Sequence, residues 1–270
     1  NVSIPVESYA NGAVKTVVNA GKAQLFLQDD LIWAEDVEVK HFAHDGSVDG
    51  RLEAKTCVVD RQSKSGWAEG AAMVTQGKTS FSGEGVYFSS GDGYIKVFDC
   101  ARVDSRDLKF GSGRLSAGGR AVPVDETASL QVRGRACDVD REAGLALFDG
   151  EVVVTYSSAG TMCADRLYLF MTGTNELSRV VAVGSVSVTN EQRVGTCSRG
   201  VYRRAKNEIE LFGDEEGAPA RLVDAGAKEQ SALAGERIRF WLDSEQVEVD
   251  GPTITFAAPA LESGKRRLIR

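Results

Sequence analysis

From Leu145 to Val154 the chain reads LALFDGEVVV: an alternating apolar segment, an Asp–Gly corner, then a second alternating segment. The pattern returns as VVAVGSVSV (180–188), IELFGD (209–214) and VEVDGPTITF (247–256). A companion segment recurs between these copies, as GEGVYF (83–88), ADRLYLF (164–170), SRGVYRR (198–204) and GERIRFW (235–241). An earlier echo places Cys57, Asp60, Arg61 and Gly70 on Cys137, Asp140, Arg141 and Gly150. Two-strand units of roughly 30 residues therefore begin near 20, 50, 78, 129, 160, 193 and 227, which marks a repeat protein.

Alternation with period two predicts strands, and its parity says which face is buried. Ahead of the corner, Ala146 and Phe148 align with Val180 and Ala182, Ile209 and Leu211, Val247 and Val249. Past it, Val152 and Val154 align with Val186 and Val188. In the companion segment Val86, Phe88, Leu167, Leu169, Val201, Ile238 and Phe240 share the inward parity. The alternate positions (Leu147, Val181, Glu210, Glu248) vary between apolar and acidic. One apolar face and one mixed face describe a half-buried antiparallel sheet.

Helical signals are nearly absent, and turns recur as DGSVDG (45–50), SSGDG (89–93), MTGTN (171–175) and DEEG (214–217). The expected fold class is all-β: a repeat-built antiparallel jelly roll, folded sheet or open trough. The Gly-rich stretch 111–128 interrupts the repeat and is the expected boundary or hinge between segments 15–110 and 129–258. Residues 259–270, ending KRRLIR, form a basic tail expected to be solvated.

A net charge of −7 without a basic stripe excludes nucleic acid as a partner. No apolar run approaches the ~20 residues that cross a bilayer as a helix. A chain beginning at Asn1 rather than Met is expected to be processed or trimmed, with an export signal or anchor removed. The five cysteines form no CxxC, and no metal or other cofactor is expected.

Enzyme motifs are missing. His41 and His44 in HFAHDG read as a solvated turn, GxSxG is absent, and DGSVDG lacks calcium-loop spacing. The glycine run lacks the GK[ST] of a phosphate loop. A carbohydrate-active enzyme would need an exposed acidic cluster, and the nearest candidates, Glu210 and Glu248, read as ordinary solvated positions.

The segments ADRLYLF, SRGVYRR and GERIRFW, each followed by a strand ending at a corner, resemble the OstA-like fold of the LptA family of lipopolysaccharide-transport proteins. The earlier VEVKHFAHDGSVDGRLEAKTCVVD (37–60), GWAEGAAMVTQG (66–77) and CARVDSRDLKFGSG (100–113) resemble the LptC family. The resemblance implies a periplasmic, non-enzymatic carrier whose β-trough holds the acyl chains of lipopolysaccharide. The inward residues named above would line it.

It further implies edge-strand stacking on an inner-membrane export complex and an outer-membrane translocon, or end to end on further copies. The missing N-terminal segment would anchor the chain to the inner membrane. Cys163 and Cys197 occupy the same repeat position, and an oxidising periplasm would permit a disulfide between them. A filament or scaffold with the same repeats closed on a filled core is the alternative reading.

Overall fold

In a computed structural model the described residues are 1–89, 91–109, 114–117, 120–123, 127–156, 160–172, 176–189, 193–224, 231–241, 246–251 and 256–257. The basic tail lies outside them. The strands are β1 (Val2–Ser8), β2 (Val14–Phe26), β3 (Leu31–Phe42), β4 (Val48–Asp60), β5 (Ser65–Gln76), β6 (Thr79–Ser89) and β7 (Tyr94–Lys109). A small hairpin of β8 (Arg114–Ala117) and β9 (Arg120–Pro123) follows. Then come β10 (Thr127–Arg133), β11 (Ala136–Asp140), β12 (Leu145–Tyr156), β13 (Gly160–Thr172), β14 (Glu176–Thr189) and β15 (Arg193–Arg203). The chain ends in β16 (Glu208–Phe212), β17 (Ala220–Asp224), β18 (Ser231–Gly235), β19 (Arg237–Trp241), β20 (Val247–Asp250) and β21 (Phe256–Ala257). Among the described residues the helical content is one 3-10 turn, Arg204–Lys206. The all-β expectation holds.

All strands except β8 and β9 join one antiparallel meander, and its long strands are folded across their middles. Ladder register slips at Ala54/Thr56, Ala68/Ala71, Ser82/Glu84, Asp149/Val152, Cys163/Arg166 and Val183/Val186. Nearby residues take positive φ: Asp36 (51°), Cys100 (52°), Gly150 (78°) with Glu151 (49°), and Gly184 (78°) with Ser185 (47°). These are β-bulges stacked strand on strand, and they make a crease along the molecule. In β3 the buried positions switch from Ile32 and Ala34 to Val37 and Val39, and in β13 from Ala164 to Leu167 and Leu169. A regular strand would send those two sets to opposite faces. Neither strand carries an extra residue there; the surplus lies on neighbours such as β12 and β14, and the fold at the crease turns the apolar side chains of both arms toward each other. At Gly83 a Cβ would sit 2.3 Å from Cγ1 of Val97, so only glycine admits the opposite arm there.

The expected boundary at 111–128 does not interrupt the sheet. On its near side β7 pairs directly with β10 (Val103 with Val132) and β11 (Val97 with Cys137). One apolar core contains Val18 near the beginning and Val186 far past the glycine stretch. Among the described residues the sheet runs on, and a second apolar cluster of Leu211, Ala220, Leu222 and Ile238 follows the first. At the end of β7, Lys109 pairs in parallel with Glu176, the first residue of β14, which lies on the opposite arm. Leu108 (4% exposed) and Leu177 (1%) are buried beside that bridge across the mouth.

Candidate functional site

The strand register assembles the apolar interior row by row. Nearest the crease on one arm, Cys57, Ala68, Val86, Val97, Cys137, Phe148, Leu167, Ala182, Gly200, Leu211, Ile238 and Val249 face one another in sequence. One step toward the mouth stand Val59, Gly66, Phe88, Ile95, Val139, Ala146, Leu169, Val180, Tyr202, Ile209, Phe240 and Val247. The other arm contributes Val18, Val39, Leu52, Val74, Phe81, Val103, Val132, Val154, Met162 and Val188. With ~4.8 Å between strands, such a row runs for several tens of ångströms.

Burial divides these residues into two groups. Val86, Phe148, Val152, Leu167, Val186 and Ile238 are at most 2% exposed and form the packed floor of the crease. Phe88, Ala146, Val188 and Phe240 are half-buried, and Val154 and Leu169 lie between these groups. Toward the start of the chain Ile32, Val59 and Ile95 on the mouth side are buried, with Phe88 half-buried among them. Toward its end Ile209, Phe240 and Val247 are all half-buried. The interior thus opens progressively along the axis.

Two expectations need correction, and one cause explains both. Val201 does not face the interior: it pairs with Val181 and Glu210 on the outer face, and the inward positions of β15 are Gly200 and Tyr202. Cys163 pairs with Ser187 on the outer face and is exposed, whereas Cys197 pairs with the buried Val186. Both are free thiols. They sit on opposite faces with β14 between them, so no disulfide can form. The copies containing β13 and β15 are related by a one-residue smaller offset than apolar matching suggests. Gly200, not Val201, takes the place of Leu167, and a glycine gives no apolar signal. A slip of one residue reverses every facing.

Glu210 is not solvated, as sequence alone suggested. It points outward yet is 4% exposed, walled in by Arg203, Arg237 and Arg239. Arg239 also donates to Glu248 (2.8 Å), and Arg199 stacks over Phe212 at 4.2 Å. Burial alone would raise the Glu210 pKa, but hydrogen bonds and charge from Arg203 and Arg239 hold it below the ordinary range. A depressed folded pKa gives stability that is complete above the unfolded value and fades as pH falls through the folded one. Glu210→Gln is therefore expected to lose on the order of 1–2 kcal/mol at pH 7, between an exposed and a fully buried pair. The loss should shrink at pH 3, read as converging urea midpoints of parent and variant.

Among the described residues no group of three or more His, Cys, Asp or Glu could hold a metal. Burial pushes the Cys57 thiol up to about 12 and the Cys197 thiol up to about 11, so both stay protonated and inert.

The fold and lining define a folded β-trough with an apolar interior. Residues 131–246 match the family model described as LptA/(LptD N-terminal domain) LPS transport protein. Among solved structures the chain is similar to LptH, the LptA-homologous periplasmic component of the lipopolysaccharide transport device from Pseudomonas aeruginosa. That likeness has 16% identity and a TM-score of 0.41, and covers 48% of this chain and 95% of that one. No curated protein matches the chain.

Proposed function

We propose that this chain is a non-enzymatic periplasmic carrier that holds the acyl chains of lipopolysaccharide in its trough during export between the two membranes. The observation that carries this is the pair of inward rows, apolar except at Gly66, Gly200 and Tyr202. The family match over 131–246 supports the assignment. Burying acyl surface against such a lining is worth ~25 cal/mol per Å², enough to hold a several-tailed lipid. The same reading gives edge strands of the sheet as the surfaces that meet neighbouring transport proteins or further copies, and an N-terminal anchor in the inner membrane.

The lining residues proposed to touch lipid are the half-buried ones, Phe88, Ala146, Val188 and Phe240, with Val154 and Leu169 beside them. A photocrosslinker at Phe240 is expected to capture lipopolysaccharide, and one at the outward Glu248 is not; capture from Glu248 alone would sink the proposal. A closed-core scaffold is favoured by the six floor residues that are at most 2% exposed. That reading predicts no capture from either position.

A further inference from the structure

Strand β1 pairs with β2 from Val2 to Ser8, yet its Glu7 side chain reaches the opposite lip of the trough. Its ladder with β2 is irregular between Pro5 and Glu7, leaving Val6 as the extra residue of a bulge, and Pro5 brings no N–H to the ladder. The bulge turns Val6 and Glu7 away from solvent together, whereas regular alternation would expose one of them. Glu7 then accepts hydrogen bonds from Lys15 (3.0 Å) beside it and Thr16 (3.4 Å) across the ladder. It also accepts one from Lys64 (2.9 Å), 57 residues away in the β4–β5 turn on the other arm. Lys64 holds a left-handed backbone (φ 58°) at that turn.

Beneath this contact lies a cleft of about 140 Å³. Its apolar wall is Val39, Leu52, Val59, Val74, Phe88 and Ile95, drawn from both arms. Its rim carries Glu7, Lys64, Arg141, His41 and Asp49. Thr16 also holds His41 through Nδ1 at 3.1 Å. Tyr9 fastens the neighbouring turn, donating to the carbonyl of Phe42 at 2.7 Å.

We infer that β1 is a latch: the Glu7 carboxylate stands in for an anionic head group on Lys64, and an acyl amphiphile with a phosphate or carboxylate head displaces it to enter. Glu7 and Asp49 are the acidic members of a rim whose cations are Lys64 and Arg141, with Lys15 beside Glu7, and the apolar wall directly below suits a chain attached to that head. The arrangement rests on the reading of the interior as an acyl-chain trough. It adds an entry point at the covered end and a chemical key for it.

Stopped-flow fluorescence tests it on the full chain, with cis-parinaric acid as anionic probe and N-phenyl-1-naphthylamine as neutral probe. Glu7→Gln is expected to speed entry of both about threefold to fivefold, the scale of losing a partly exposed ion pair. Lys64→Gln should speed the neutral probe equally yet weaken the anionic one at equilibrium. The exchange Glu7→Lys with Lys64→Glu restores the pair and should return neutral-probe entry to the parent rate, which a misfolded variant would not do. Identical rates in parent, single variants and exchange would overturn the latch. If inorganic phosphate alone hastens the neutral probe, a free anion suffices and the amphiphile is not the key. Absence of parinaric acid binding in every variant would instead remove the trough reading itself.

Discussion

Phe148→Ala is expected to lower the unfolding free energy by about 3–5 kcal/mol, because a fully buried ring leaves a cavity that its neighbours only partly fill. Phe148 is 1% exposed, with Cys137 and Leu167 directly across the ladder on either side. For a chain of this size each kcal/mol shifts the melting temperature by roughly 2–4 °C, so a fall on the order of 10 °C is anticipated. Phe240→Ala provides the contrast. Its ring is half-buried beside the open mouth, so its truncation should cost about 1–2 kcal/mol of lost apolar burial while reducing lipid capture. A loss below about 1 kcal/mol at Phe148 would mean that the crease has no packed floor. Urea unfolding of the three proteins, with the slope checked for change, decides it.

Deleting Glu151 tests what the surplus residue does. Glu151 is the surplus residue of the β12 bulge, and the register jumps from Asp149 to Val152 across it. Without it, Asp149, Gly150 and Val152 stand in step with Arg166, Asp165 and Ala164, and β13 already crosses the crease with two residues between the buried Ala164 and Leu167. Val152 and Val154 should therefore keep their inward facing, and the cost should be that of rebuilding one corner, about 1–3 kcal/mol. Glu151→Gly keeps the residue count and relieves a φ of 49°. It should stay within about 1 kcal/mol of the parent or gain slightly. Loss of cooperative unfolding in the deletion would mean that the surplus residue does set the facing of the arm.

The strands were legible because period-two alternation is a local signal. Ala146, Phe148, Val152, Val154, Leu167, Leu169, Ile238 and Phe240 all lie on the inward rows that parity indicated. What local pattern could not supply was the depth of each residue within the fold. Phe88, Phe148 and Phe240 look alike in sequence, yet one is floor and two are wall, because depth depends on distance from the crease. Val201 was misplaced for a related reason: Gly200 holds the inward position silently. The arginine wall around Glu210 joins β15, β16 and β19, and a charge in sequence does not reveal which charges neighbouring strands bring beside it. The glycine stretch at 111–128 looked like a boundary because composition reports the chain, whereas the pairing of β7 with β10 and β11 is a property of the sheet.

The contact of Lys109 with Glu176 spans the mouth partway along the axis, with Leu108 and Leu177 buried beside it. Ahead of it Val59 and Ile95 of the mouth-side row are buried, whereas past it Ile209, Phe240 and Val247 are half-buried. On the proposed reading as a lipid carrier, a tailed lipid would leave sideways most readily where the lining is least covered, toward the end of the chain.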